Sequence, residues 1–143
     1  MSSSFISNYQ DMIVYFYPYQ PRNFKAYIKG LQPLNPELNQ LGLMFLEQIP
    51  FDSGMVFKQD TPNFARMTMK NTFIPLDIIF VKNNTINYIY KNAKPLDETQ
   101  NITSQELVDF VIEVNAGFCD HYKIIVGDKV MFRPWAPPTV FNG

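Results

Sequence analysis

Apolar and polar positions along this chain alternate far more often than they recur at helical spacing. Residues Met12 to Tyr19 are dominated by β-branched and aromatic side chains and stop at Pro18 and Pro21, which predicts an edge strand running into a turn. From Phe24 to Leu31, the residues Phe24, Ala26 and Ile28 alternate with Lys25, Tyr27 and Lys29, the signature of a half-buried strand. One segment departs from this habit. Pro36 opens a run in which Leu38, Leu41, Met44 and Phe45 fall at helical spacing, Asn35 stands where a cap belongs, and Pro50 ends the run.

Further along, Gly54 to Lys58 and Ala65 to Met69 read as two short strands joined by a turn through Gln59, Asp60, Thr61, Pro62 and Asn63. Pro75 keeps Ile74 out of helical conformation and marks the entry to a strand. There Leu76, Ile78 and Phe80 share one face, and Asp77, Ile79 and Val81 the other. Both faces are largely apolar, so this strand belongs in the centre of a sheet. Asn83 and Asn84 tolerate the left-handed backbone of a tight hairpin and lead into a strand from Ile86 to Lys91. Asn92 to Gln105 is polar and predicts a long surface loop. Ser104 and Glu106 suit a helix start, but Val108, Phe110, Ile112 and Val114 alternate and favour a strand. Ala116 to Lys123 reads as a short helical turn, and Gly127 and Asp128 as a turn before the last strand, Lys129 to Arg133. The pattern describes a single-domain, mainly β protein, an antiparallel sandwich or barrel with one or two short helices. Residues 24–133 form its body, 1–23 an N-terminal extension with an edge strand, and 134–143 a Pro-rich tail.

Composition narrows the function classes. At 143 residues, with 46% apolar and 15% aromatic content, the chain suits one well-buried core and is too short for two ordinary domains. Twelve basic against 13 acidic residues give no broad positive field, so nucleic acid is not an expected partner. The single cysteine, Cys119, forms no internal disulfide, and with the single histidine, His121, supplies no zinc site. The N-terminal stretch lacks a basic region and carries Asp11, and no run reaches membrane-spanning length. A soluble, cytoplasmic protein without membrane association is therefore expected, in which the sequons at Asn83 and Asn101 have no use.

Four blocks carry a resemblance. They hold Gly42, Met44 and Phe45; Gly54, Met55 and Phe57; Met69, Lys70, Asn71 and Thr72 with Ile74, Pro75 and Asp77; and Val111 to Gly117 followed by Gly127 and Asp128. In order and spacing, across roughly residues 24 to 132, they resemble DUF192 (also called UPF0127), a family of uncharacterised bacterial and archaeal proteins. The arginines that commonly flank the first block are here Leu41 and Leu46, and the usual tryptophan before the third is Thr68. The resemblance implies a mainly β, jelly-roll-like fold and carries no established activity.

The polar residues inside these blocks are Lys70, Asn71, Thr72, Asp77 and Glu113. Charges amid apolar residues need partners, because an unpaired buried charge costs several kcal/mol. If Lys70 meets Asp77 or Glu113 in a partly dry pocket, the cluster suits binding of a small polar ligand, or proton transfer. The plainer reading is a structural ion pair, with Asn71 and Thr72 bonding the local backbone. Met44, Met55 and Met69 suggest a thioether copper site, yet core packing explains them more simply. Cys119 and His121, two residues apart, do not face each other on a helix and lack an oxyanion site, and fingerprints of serine hydrolases, P-loops and dinucleotide folds are absent. No metal or cofactor is expected. The leading expectation is a non-enzymatic binding or accessory module; the alternatives are an enzyme using Lys70 with a carboxylate, and a protein that self-associates. In that last case the aromatics Tyr15, Phe16, Tyr17 and Tyr19, together with Phe132, Trp135 and Phe141, would supply the contact.

Overall fold

The computed structural model describes residues 8–20 and 22–135, so Pro21, Phe141 and most of the Pro-rich tail lie outside the described residues. In chain order the elements are β1 (Tyr9–Tyr17), β2 (Ala26–Pro33), α1 (Pro36–Leu41), β3 (Ser53–Asn63), β4 (Arg66–Met67), β5 (Leu76–Lys82), β6 (Thr85–Ala93), β7 (Ile102–Thr103), β8 (Val108–Asn115), α2 (Phe118–Tyr122) and β9 (Lys129–Pro134). Seven strands close into a barrel in the order β1-β2-β3-β8-β5-β6-β9, and β4 and β7 form a two-stranded ribbon. Neighbours in the barrel are antiparallel except β2 and β3, which run parallel with Gly30 opposite Gly54. That one parallel pair departs from the all-antiparallel expectation. It follows from the α1 segment, which carries the chain back to the end of β2 where it started.

The barrel strands are buried on two faces for different reasons. Val14, Ile28, Val56, Ile79, Ile86, Ile112 and Val130 come from all seven barrel strands into one cluster, which can only be the interior; Phe118 and Cys119 of α2 join it. The opposite face of β3, β5, β6 and β8 carries Met55, Phe57, Ile78, Phe80, Ala93 and Val111, and is covered by Leu43, Ala65, Met69, Ile74 and Ile102 from the connecting segments. Each such side chain taken out of water contributes about 1.5–3 kcal/mol. This second layer is why β5 reads as apolar on both faces: all its residues from Leu76 to Val81 are buried.

The expected elements mostly stand where the alternation puts them. Asn83 and Asn84 take φ of 51° and 59° in the β5–β6 hairpin, the left-handed pair that a two-residue turn requires. The segment with two readings is strand β8, paired to both β3 and β5. Four expectations change. β1 is not an edge strand: it pairs with β2 on one side and β9 on the other, so Met12, Val14 and Phe16 line the barrel and Phe16 is not available for an outer contact. The helix after Asn35 is only six residues long. Asn35 does cap it, its Oδ1 accepting from the Leu38 N–H at 2.9 Å, but Gly42 at φ 51° ends it and leaves Met44 and Phe45 outside. Gln59 to Asn63 is not a turn but the continuation of β3, with a register shift against β8 that absorbs Pro62. The strand foreseen from Ala65 to Met69 shrinks to Arg66–Met67, which pairs with β7 inside the expected long loop. No helix among the described residues is long and apolar enough to cross a membrane.

Candidate functional site

Strand parity separates the residues that the sequence groups together. Asp77 shares its face with Ile79 and Val81 and points into the barrel; Glu113 shares its face with Val111 and points out, into the second layer. The sheet stands between the two carboxyls. Lys70 is exposed and makes no ion pair with a described carboxylate. Its N–H donates to Thr68 Oγ1 and its carbonyl accepts from the Thr72 hydroxyl, both at 3.1 Å. Asn71, at φ 53°, offers its carbonyl to the Phe45 N–H at 2.8 Å. Buried Thr72 donates its N–H to the Met69 carbonyl and accepts from the Leu96 N–H, each at 3.1 Å. This Met69–Thr72 turn therefore holds the loop after α1 and the loop after β6 against the outer face.

Asp77, 1% exposed, is satisfied by the backbone. Oδ1 accepts from the Asn92 N–H at 3.0 Å and Oδ2 from the Cys119 N–H at 3.0 Å, which ties β5 to the end of β6 and to the first turn of α2. Cys119 itself is buried, and burial, then the Asp77 charge, pushes its thiol upward, away from the thiolate a nucleophile needs. His121 is exposed, with its ring against Phe51 and Tyr122.

Glu113 has no such arrangement. It is 5% exposed, stands directly between Met55 of β3 and Ile78 of β5, and is bonded to no other described side chain or backbone group through its carboxyl. Burial pushes its pKa up to about 8, so it is mainly a neutral acid at neutral pH. Its carboxyl forms the floor of a cleft of about 430 Å³. The walls are the Leu41–Met44 segment, Phe57 and Gln59 of β3, and Phe64 to Thr68, with Thr72 at one side. Gly42 is placed to keep this floor open: a Cβ there would stand 3.3 Å from the Phe57 ring and 4.0 Å from Glu113 Oε1, on a backbone that disfavours any side chain. Arg66 is the cleft's one other charged lining residue. A second, mainly apolar cleft of about 370 Å³, lined by Tyr9, Leu31, Ile49 and Met55, lies on the other side of the same Gly42–Met44 segment.

The remaining block residues have mostly structural surroundings. Met55, Phe57 and Met69 are buried in the second layer, Met44 is half-buried between the clefts, and Phe45 is 59% exposed with its ring 6.3 Å from Phe73. Gly54 marks a close approach, since a Cβ there would lie 2.5 Å from the Glu113 carbonyl oxygen. The Pro75 carbonyl accepts from the Ala116 N–H at 2.9 Å, and Gly117 precedes α2. After Gly127, Asp128 is 2% exposed and accepts from Lys25 Nζ at 2.8 Å and the Ile125 N–H at 2.9 Å. Among the described residues no three His, Cys, Asp or Glu side chains are grouped as a metal site. Arg66, Gln59 and Phe64 lie outside the sequence-based cluster; they reach the cleft because β3 extends beyond Lys58, which no local pattern signals.

A closed small barrel with a second apolar layer built from its own loops, and a cleft where those loops part, defines the class of protein. The chain belongs to the DUF192 family ("Uncharacterized ACR"), whose pattern matches residues 34–132. Two solved structures share the fold. A protein from Sinorhizobium meliloti 1021, described as a candidate transcription regulator, is 31% identical, with a TM-score of 0.81 over 88% of this chain and 96% of that one. A protein of unknown function from Novosphingobium aromaticivorans DSM 12444 is 30% identical, with a TM-score of 0.78 over 91% of each chain. No curated protein matches this chain.

Proposed function

We propose that this protein is a non-enzymatic binding module whose site is the cleft over Glu113, and that its ligand is small and polar. One observation carries the reading: a carboxyl group 5% exposed, without a bonding partner among the described residues, at the floor of an open cleft. The carboxyl is bonded by no described protein group and opens onto the cleft, so a ligand group that enters there can hydrogen-bond it. The cleft lining offers recognition rather than chemistry, because beside Glu113 and Arg66 it holds amides, hydroxyls and apolar groups, with no histidine, cysteine or lysine. A nuclear magnetic resonance screen of small polar compounds tests the reading. Binding compounds are expected to shift the amides of Gly42, Phe57 and Thr72, and to weaken on Glu113→Ala with the fold intact. Hits that map elsewhere and ignore Glu113→Ala contradict it.

A second reading rests on a different surface. Tyr15, Phe24 and Tyr27 form an aromatic patch on the outside of β1 and β2, with the Tyr15 ring 5.2 Å from Phe24 and 6.2 Å from Tyr27. Phe24 and Tyr27 are 46% and 51% exposed, an arrangement that supports self-association. Light scattering of the intact chain at rising concentration is expected to show dimers that Tyr27→Lys disperses; a monomer throughout removes this reading.

A further inference from the structure

The cleft over Glu113 presents two groups of opposite charge type that do not pair with each other. Glu113 is at the floor; Arg66, exposed on the wall, makes no ion pair with a described carboxylate. Building on the proposal that this cleft is the binding site, we infer that its ligand is a small zwitterion of the amino-acid type, its ammonium on the Glu113 carboxylate and its carboxylate on the Arg66 guanidinium.

The floor selects the ammonium. Met55, Ile78 and Phe57 surround Glu113, so the floor has a single polar anchor beside an aromatic ring. A polyol needs several hydrogen-bonding groups in an array, and the cleft's amides, at Asn39, Gln40, Gln59 and Asn63, are spread along its α1 and β3 walls. A compact cation needs only a carboxylate and gains from a ring face or edge close by. With no Cβ, Gly42 does not crowd the Phe57 ring or the carboxyl, so the approach to Glu113 from this segment stays open. On the wall, a guanidinium holds a carboxylate with two parallel hydrogen bonds, a geometry a lysine does not offer.

Protonation gives this ligand class a signature. Of the groups that face Glu113, β3 contributes Met55 and Phe57, β5 contributes Ile78, the Leu41–Met44 segment contributes no titratable group, and the Phe64–Thr68 segment contributes Arg66. Asp77 is behind the sheet, and Asp109, farther along β8, accepts from the Asn83 N–H at 3.1 Å. Glu113 titrates near 8 in the empty cleft, so an ammonium that requires its ionised form must expel a proton below that pH. Affinity then rises about tenfold per pH unit up to that point.

The test is calorimetric titration of the full chain with glycine, β-alanine, γ-aminobutyrate and lysine, beside ethylammonium and erythritol, in phosphate and in Tris. The expected result is binding of at least one zwitterion with close to one proton released per ligand at neutral pH, a loss of about tenfold or more on Glu113→Gln, and a fall to the ethylammonium affinity on Arg66→Gln. Erythritol binding without proton release that weakens on Glu113→Gln overturns the ligand class and leaves the cleft as a binding site, whereas zwitterion binding untouched by Glu113→Gln counts against both proposals. Absence of any zwitterion binding also overturns the ligand class, and probes that bind only outside the cleft overturn both proposals.

Discussion

Two buried carboxyls show how much a single residue's surroundings decide. Asp77 receives two backbone N–H groups and serves the fold; Glu113 receives none and faces a cleft. Their pH behaviour should differ accordingly. In the unfolded chain Glu113 loses its proton near its ordinary pKa of 4.5, whereas in the folded protein it keeps it to about 8. Between these values the unfolded state binds fewer protons, so folding stability falls as pH rises through the window and levels off above it. The effect is on the order of a few kcal/mol. Glu113→Gln removes that slope, and urea unfolding of both proteins at about pH 5 and about pH 9 measures it. Gly54→Ala is expected to cost about 3 kcal/mol in the same assay, since its Cβ would collide with a backbone oxygen. Both carboxyls are visible in the sequence as unusual polar residues among apolar ones. Their separation was not, because a strand buried on both faces does not reveal which face looks into the barrel.

At the scale of elements, legibility followed how local the cause is. The Asn83–Asn84 hairpin, the Asn35 cap and the entry at Pro75 are set by residues next to one another, and all three stand as read. Spacing alone overstates the length of α1, because Leu38, Leu41, Met44 and Phe45 match helical periodicity while Gly42, left-handed at φ 51°, ends the helix. The extension of β3 has a long-range cause that local pattern does not carry, as its partner is β8, some 50 residues away in sequence by the pairing of Lys58 with Phe110. Long-range ties can be tested singly. Lys25, just before β2, reaches both Asp128 and the Lys123 carbonyl, at 2.8 and 2.7 Å, and so pins the turn before β9. Lys25→Met leaves the buried Asp128 carboxylate without its cation and is expected to destabilise the protein by about 3 kcal/mol in urea unfolding. A change below about 0.5 kcal/mol would place this pair among inconsequential surface bridges.

The whole molecule is a barrel whose first and last strands meet. β1 pairs with β9 from Met12 opposite Pro134 to Tyr17 opposite Lys129, whereas β6 touches β9 at a single register position, Thr85 opposite Lys129. Closure therefore depends on contacts between the two ends of the described chain, which carry a high loop-closure cost. Removing residues from Lys129 onward is expected to abolish cooperative unfolding, because Val14, Phe16 and Ile28 lose their cover; a retained sharp transition would show that the remaining six strands suffice. The mainly β class and the family were legible because alternation and block spacing are properties of the sequence itself. The cleft was not, because it exists only where Gly42, Phe57, Arg66 and Glu113 from four separate segments converge over the outer face. The carboxyl at its floor is the point on which the functional account rests. Its titration, followed through the Glu113 side-chain carbon by nuclear magnetic resonance and assigned with Glu113→Gln, measures it directly. A midpoint near 8 is the predicted result, and a midpoint near the ordinary 4.5 would contradict the account.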